Sequence, residues 1–370
     1  MKKLLLVCTL FLMLVRPCPA QTNAKPDGQA APPPLPRVTE VVRVEARPSK
    51  GFLYPYYFYV PPELWSEKGK NVKLTLLVLP NNTGKTDDDF AAHDPYARRN
   101  IEDLRRLGSN LKVALLMPAF PRPNTDWRIY THALDRDSLL TQRKEYRRFD
   151  RQLVRMIDDA RTRLQSDGYR FDKRVLMFGF SASGMFTNRF VFLHPERVKA
   201  AAFGSPGGWA IAPVDTWKGK ELRYPIGTAD FKDVTGKRQD VKRLKGVPLF
   251  LFLGDEDTND SVIYRDSYEV EDEKLIFDLF GKTLVERWAT TRVIYEVSLP
   301  EATLKLYPKA GHSLSRAVQA SMYGMAATRK PSGGVFRREQ PQGFSVHAIL
   351  NRSKEMWDDI KAFFAKHLRD

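Results

Sequence analysis

Short apolar runs alternate with amphipathic segments along most of this 370-residue chain, and the alternation restricts the possible folds more than any other feature. Each run is too short to span a membrane, and it lacks the alternation of apolar and polar residues expected of a strand with one solvent-exposed face. It is therefore typical of a strand buried on both faces of a parallel sheet. The runs cover residues 74–79, 113–117, 175–178, 200–203, 249–253 and 304–307.

The segments between and around these runs complete the prediction. Apolar residues recur at helical spacing over residues 149–164, and the same spacing predicts a last helix over residues 355–364. Residues 41–46 and 52–60 read as two further strands joined by a turn. Strands that alternate with helices predict an α/β fold with a doubly wound, mostly parallel β-sheet flanked by helices.

Composition excludes several classes of protein. Hydrophobic residues make up 42% of the chain and aromatic residues 11%, which is enough apolar surface to exclude a disordered chain. There are two cysteines, Cys8 and Cys18, too few for a zinc ribbon, a zinc finger or a disulfide scaffold. The chain is therefore expected to fold around a large apolar core.

The first residues have the pattern of a secretory signal peptide. Two lysines precede the apolar residues 4–15, and the small residues Cys18 and Ala20 lie where a signal peptidase would cleave. We expect a signal peptide over residues 1–20 and an exported protein, periplasmic or secreted, with no transmembrane segment. A lipid anchor on Cys18 is the alternative, although the three residues before it match that signal poorly.

Cleavage after Ala20 would change both the charge and the cysteine count. The formal net charge would fall from +16 to +13, because residues 1–20 contain two lysines and one arginine but no Asp or Glu. Both cysteines would also be removed. The remaining basic residues alternate with acids along predicted helices, as on a solvated surface, so no nucleic-acid partner is expected.

The domain organisation follows from composition. Residues 21–37 are rich in Pro and Ala and are expected to form an extended linker. The rest, residues 38–370, is expected to form a single domain with insertions near residues 120–145, 207–246 and 313–350. The pattern does not indicate an oligomeric state.

The most informative segment joins a buried strand to a helix through Gly-Phe-Ser-Ala-Ser-Gly at residues 179–184. A serine at such a turn presents its hydroxyl above the sheet, and its neighbours must be small because strand and helix approach closely. The N-terminal end of the following helix also favours developing negative charge. Ser181 is therefore the candidate nucleophile.

These residues resemble the α/β-hydrolase family, whose nucleophile turn is usually Gly-x-Ser-x-Gly, and the resemblance covers most of the chain from about residue 40. The sequence departs from the pattern at one position, because Ser183 stands where the family usually has glycine and Gly184 follows it. Serine is small, so the close packing can survive. The resemblance implies a serine hydrolase whose triad residues follow in the order serine, acid, histidine.

The resemblance also implies the other two triad positions. The strand run 249–253 is followed by Gly254, and the family usually places its acid three residues after such a glycine, which selects Asp257. Asp255 and Asp260 remain alternatives, because the sequence does not show which carboxylate turns toward the serine. Of the six histidines, His312 follows a strand-like run after the acid and matches the family's Gly-His element.

Two backbone N–H groups are needed to hold the oxygen that becomes negative during acyl transfer. Ala182, directly after the nucleophile, is expected to supply one. The loop after the run 74–79 is expected to supply the other, with Asn82 as first choice and Asn81 as second, since Pro80 has no N–H. The expected mechanism needs no metal and no organic cofactor.

Aromatic residues in the insertions are candidates for the substrate pocket. Trp127, Tyr130 and His132 lie in a segment that leaves the end of a central strand, the edge where ligands bind in such sheets. Trp209 follows the end of another strand. The expected function is ester hydrolysis, as a carboxylesterase or a carbohydrate or polyester esterase, on a small molecule or an acylated polymer. The alternatives are a serine peptidase of the same fold and a non-catalytic binding protein that keeps the fold.

Overall fold

A central β-sheet organises the structure, a computed structural model that describes residues 40–83, 86–312 and 346–369, with side chains described from residue 353 in the last segment. The predicted signal peptide, the linker and almost all of the insertion 313–350 lie outside these residues. The strands are β1 (Val42–Val44), β2 (Tyr56–Tyr59), β3 (Lys73–Leu74), β4 (Leu76–Val78), β5 (Ala114–Pro118), β6 (Arg170–Phe171), β7 (Val175–Phe180), β8 (Val198–Gly204), β9 (Thr216–Trp217), β10 (Lys220–Glu221), β11 (Leu249–Gly254) and β12 (Ala302–Tyr307).

Eight of these strands form one sheet in the order β1-β2-β5-β4-β7-β8-β11-β12. The pairs β1–β2 and β2–β5 are antiparallel, and all the others in this sheet are parallel. The strands β3 and β6 form a separate parallel pair, and β9 and β10 a separate antiparallel pair. The prediction of a mostly parallel sheet is confirmed, and every apolar run contributes a strand.

Helices cover both faces of the sheet, which confirms the doubly wound α/β class. One face packs against the two helices between β4 and β5 and against the C-terminal helix, and the other against the helices that precede β6, β8 and β12. The apolar stripes predicted for residues 149–164 and 355–364 are buried against the sheet. The α-helices are α1 (Asp94–Asp103), α2 (Arg105–Leu111), α3 (Arg136–Leu140), α4 (Phe149–Ser166), α5 (Ala182–Leu193), α6 (Phe231–Thr235), α7 (Val241–Lys245), α8 (Val270–Phe280), α9 (Leu284–Ser298) and the C-terminal helix Val346–Leu368.

The first two predicted insertions share an apolar cluster of their own. Tyr130 from the first and Trp209 from the second pack together with Ala182 and Met185 at the start of α5. The insertions are therefore built directly onto the helix that follows Ser181. Within the described part of the chain, no helix is both long and apolar enough to cross a membrane.

One strand differs from the prediction of burial on both faces. β12 lies at the edge of the sheet, and most of its residues are only partly buried, with Leu306 36% exposed. An edge strand has a neighbour on one side alone, so its alternate side chains reach solvent. Its apolar run is therefore only partly covered, since Tyr307 is buried whereas Leu306 is exposed.

A buried ion cluster joins the start of α4 to the end of α5. The Asp150 carboxylate accepts hydrogen bonds from Arg148 Nη2 at 2.6 Å and from His194 Nε2 at 2.8 Å. Burial raises the pKa of Asp150, but the hydrogen bonds from Arg148 and His194 outweigh that effect and hold its pKa below its ordinary value. The carboxylate therefore stays charged and fixes the two helices to each other.

We expect Asp150→Asn to lower the free energy of unfolding by about 3–5 kcal/mol, because it leaves a buried guanidinium without its counter-charge. Urea unfolding at neutral pH measures the change. Asp158→Asn is the matched control in the same helix, since its partner Arg197 forms a more exposed pair worth about 0–1 kcal/mol. The pKa of Asp150 is lowered from its ordinary value of 3.8. Asp150 therefore stabilises the folded state fully above pH 3.8, and this part of the free energy of unfolding is lost as the pH falls toward the lowered pKa. Equal losses in the two variants would contradict the structural role of Asp150.

Candidate active site

Ser181 lies on a sharp turn between β7 and α5. Its φ of 60° and ψ of −129° are unfavourable for a residue with a side chain, and its N–H donates to Gly204 O at 3.0 Å. Such a strained strand-to-helix turn is the nucleophile position of the α/β-hydrolase fold. The turn places Ser181, which is half-buried, directly after the carboxyl end of β7.

The neighbours of Ser181 explain the departure from the usual motif. A Cβ atom on Gly179 would lie 2.0 Å from Ser183 O, and one on Gly184 would lie 2.6 Å from Gly204 O. Gly184 therefore makes the close approach between helix and strand. Ser183 is tolerated because its Oγ donates to Phe180 O at 2.9 Å and accepts from Phe180 N at 3.0 Å, inside the turn.

The loop after β11 carries three candidate carboxylates, and one of them reaches His312. Asp257 Oδ2 lies 2.8 Å from His312 Nδ1, and the Asp257 side chain is fully buried. Asp255 instead accepts a hydrogen bond from Lys309 N at 2.6 Å, and Asp260 pairs with Arg287. The structure thus brings Asp257 and His312 together and turns the two alternatives elsewhere.

The His312 imidazole is held on three sides. Asp257 contacts Nδ1, the Phe180 ring packs against it at a centroid distance of 4.9 Å, and Asn259 Nδ2 lies 3.1 Å from Nε2. Because the carboxylate accepts from Nδ1, the neutral ring carries its proton there and leaves Nε2 as an acceptor. This tautomer is the one that can take a proton from a serine hydroxyl.

Ser181 and His312 line one cavity of about 400 Å³ at the carboxyl end of the sheet. Its wall is largely apolar, with amides and one carboxylate among the polar groups. A cavity of this size accommodates a small ester or one unit of a polymer. The lining residues are Leu79, Pro80, Asn82, Asn100, Asp103, Leu104, Met117, Phe178, Gly179, Phe180, Ser181, Ser183, His312 and Trp357.

The loop after β4 is fixed by the side chain of Asn81. Its Nδ2 donates to Phe120 O at 2.9 Å, and its Oδ1 accepts from Phe120 N at 3.1 Å. The amide thereby replaces a pair of backbone hydrogen bonds between two neighbouring loops. Asn81 is buried in this role, whereas Asn82 lines the cavity beside Ser181. Ala182 is the first residue of α5, where backbone N–H groups have no acceptor within the helix.

His132 supports this loop and does not line the cavity. Its Nε2 donates to Phe120 O at 2.7 Å, and the side chain is buried. Burial lowers the pKa of His132 to about 3, so the ring is neutral at physiological pH. The position of His132 in the sequence suggested a contact with substrate. The buried ring instead holds the backbone of Phe120.

The aromatic residues predicted to touch substrate also lie elsewhere. Trp209 is 2% exposed, and its ring stacks on Phe280 at 3.9 Å, so it belongs to the apolar cluster beside the start of α5. Tyr130 is buried beneath the Arg122 guanidinium, 3.9 Å from its ring centre. Trp127 is 41% exposed on the surface. Among the described residues, the cavity wall contains none of these three.

Sequence reasoning missed Asn259, Phe180 and Trp357. Phe180 and Asn259 contact His312, and Trp357 reaches the cavity from the C-terminal helix. Phe180 and Asn259 are each within two residues of a predicted site residue, a weak signal that the sequence did contain. Trp357 lies 176 positions after Ser181 in the chain and has no such signal. In the described ranges, no group of three His, Cys, Asp or Glu side chains is placed to hold a metal ion.

Comparisons with known proteins concern the fold. No protein-family model and no curated protein matches the sequence. Similar solved structures include poly(aspartic acid) hydrolase-1 from Sphingomonas sp. KT-1, with 20% identity over 73% of this chain and 91% of that chain and a TM-score of 0.47. A second is LpqC, a poly(3-hydroxybutyrate) depolymerase from Bordetella parapertussis, with 16% identity over 77% and 88% of the chains and a TM-score of 0.46.

A third is the S-formylglutathione hydrolase from Agrobacterium tumefaciens, with 14% identity over 89% of this chain and 94% of that chain and a TM-score of 0.43. Similarity at this level carries no argument about function.

Proposed function

We propose that this protein is a serine hydrolase that cleaves ester bonds through an acyl-enzyme formed on Ser181. One observation carries the proposal: His312, joined to the buried Asp257 at 2.8 Å, borders the same cavity as a serine on a strained strand-to-helix turn. A buried carboxylate, an oriented imidazole and a serine on such a turn are the parts of a nucleophilic triad.

Each residue has a separate role in the proposed reaction. His312 Nε2 takes the proton of the Ser181 hydroxyl while Oγ forms a bond to the ester carbonyl carbon. Asp257 keeps the Nδ1 proton in place and stabilises the imidazolium that results. The imidazolium then gives its proton to the leaving alkoxide, and a water molecule, activated in the same way, releases the acid and restores Ser181.

The oxygen that becomes negative needs donors in a fixed position. We assign one to the N–H of Ala182 and the other to Asn82, whose loop is held by the bidentate amide of Asn81. The positive end of α5 adds to this stabilisation. These donors act only once charge develops on the oxygen, so they lower the barrier more than they improve substrate binding.

We further propose that the protein is exported, on the basis of the basic and apolar pattern of residues 1–20. An exported esterase with a partly apolar cavity would act on an acylated polymer or a small ester. The substrate class that the protein cleaves would distinguish a carboxylesterase from a carbohydrate or polyester esterase.

Pre-steady-state hydrolysis of nitrophenyl esters tests the proposed function. We expect a burst of nitrophenol close to one equivalent per protein molecule from nitrophenyl acetate or butyrate, because the acyl-enzyme accumulates before water releases it. Acetylated xylan, feruloylated glycans, polyhydroxybutyrate and peptide arylamides then identify the substrate class. Cleavage of arylamides faster than of every ester would contradict the esterase assignment, and no cleavage of any member would contradict a hydrolase.

A further inference from the structure

Asn259 contacts both members of the Asp257–His312 pair. Its backbone N–H donates to Asp257 Oδ1 at 2.9 Å, and its side-chain Nδ2 lies 3.1 Å from His312 Nε2. The bond between Asp257 Oδ2 and His312 Nδ1, at 2.8 Å, completes a closed ring of three hydrogen bonds. One residue thus holds the carboxylate with its main chain and the imidazole with its side chain.

The two contacts of the imidazole select the same tautomer. A carboxylate beside Nδ1 requires a proton on Nδ1, and an amide N–H directed at Nε2 requires a lone pair there. Both contacts fit the tautomer with the proton on Nδ1 and the lone pair on Nε2. In the described residues, the hydrogen-bond partner of Nε2 is Asn259 and not Ser181.

The imidazole has a single lone pair at Nε2, in the plane of the ring. It cannot accept a full hydrogen bond from the Asn259 amide and from the Ser181 hydroxyl at once. Asn259 is half-buried on a loop outside any helix or strand, and rotation of its side chain frees Nε2 without moving its backbone bond to Asp257.

We propose that Asn259 is a positioning residue that caps His312 Nε2 in the resting site, holds the ring in the tautomer with its proton on Nδ1, and is displaced when Ser181 is activated. This inference rests on the proposed function, in which His312 is the base. It makes Asn259 a competitor of the Ser181 hydroxyl for the lone pair on Nε2.

The pH dependence of Ser181 labelling by a fluorophosphonate probe tests this role. We expect Asn259→Ala to label about 3–10-fold faster than wild type above pH 8, because removal of one neutral hydrogen bond frees Nε2. At low pH the two rates converge, since protonation of Nε2 displaces the Asn259 amide in wild type as well. The two pH–rate profiles therefore separate at high pH and merge at low pH.

Two further variants separate this role from simple loosening of the site. Asn259→Asp has the same shape but accepts instead of donating at Nε2, so we expect the acidic limb of its profile to move to higher pH by about one unit. Thr258→Ala is the matched control on the same loop, since its exposed side chain contacts neither Asp257 nor His312 in the described structure. Its profile should superimpose on that of wild type.

The result that overturns the inference is an Asn259→Ala profile that coincides with wild type or runs below it in parallel at every pH, in protein whose thermal unfolding is unchanged. An imidazole ¹⁵N spectrum gives a second readout, with the His312 signal assigned by its loss in His312→Ala. The Nε2 resonance should shift in Asn259→Ala, and an unchanged resonance also overturns the inference. Wild-type protein that fails to label at any pH would instead refute the proposed function on which the inference rests.

Discussion

Ser181→Ala is expected to lower kcat for a nitrophenyl ester by about 10⁴- to 10⁶-fold, with the fold and the cavity intact. Without Oγ no acyl-enzyme forms, and the remaining donors can only assist direct attack by water. Steady-state kinetics on the purified variant measure the loss, and the burst of nitrophenol should disappear with it.

Ser183→Ala is the matched control for this experiment. Its hydroxyl also borders the cavity, but both of its hydrogen bonds close the turn through Phe180. We expect a loss of no more than about tenfold, the scale of one or two neutral hydrogen bonds. If Ser183→Ala removed the burst and Ser181→Ala did not, the nucleophile would be misassigned.

Asp257→Asn is expected to lower kcat by about 10⁴-fold, the largest effect among the three carboxylates of its loop. An amide at this position presents an N–H to His312 and favours the tautomer with the proton on the wrong nitrogen. Asp255→Asn should retain most of the activity, because its carboxylate caps the backbone of Lys309 and does not reach the imidazole.

Asp260→Asn needs a stability measurement beside the kinetics. Asp260 pairs with the buried Arg287, so its loss is expected to lower the free energy of unfolding more than it lowers turnover per folded molecule. A kcat for Asp255→Asn or Asp260→Asn as low as that of Asp257→Asn, in folded protein, would contradict the assignment of the acid.

The fold was predictable because the sheet is built from local patterns. Every apolar run between residues 74 and 307 contributes a strand, and the periodicity over 149–164 predicts α4 almost to its bounds, Phe149–Ser166. The prediction of complete burial was wrong for β12. Which strand lies at an edge depends on the strand order, and no single run contains that information.

The candidate site was predictable to the level of the segment. The turn at Ser181 is a local signal, because only small residues fit between β7 and α5, as Gly179 and Gly184 show. The acid loop was identified, but the choice among its carboxylates depends on which one the chain turns toward His312, 55 residues later. That contact is set by the packing of β11 beside β12.

The substrate pocket was not predictable from the sequence. Trp209 and Tyr130 leave strand ends as expected, but the two insertions bury them against each other and against α5. The cavity is walled instead by residues of α1 and by Trp357 of the C-terminal helix, which are brought together only in the folded chain. Residue type and position along a strand do not distinguish a buried aromatic from one that contacts substrate.

The most direct test is the site of covalent modification. Purified wild-type protein is treated with a fluorophosphonate at neutral pH, digested, and analysed by mass spectrometry, with Ser181→Ala and His312→Ala treated in parallel. We predict one adduct per molecule on the peptide that contains Ser181, none in Ser181→Ala, and strongly slowed labelling in His312→Ala. Wild-type protein that remains unlabelled, or an adduct on another residue that persists in Ser181→Ala, would contradict the assignment of Ser181 as the nucleophile.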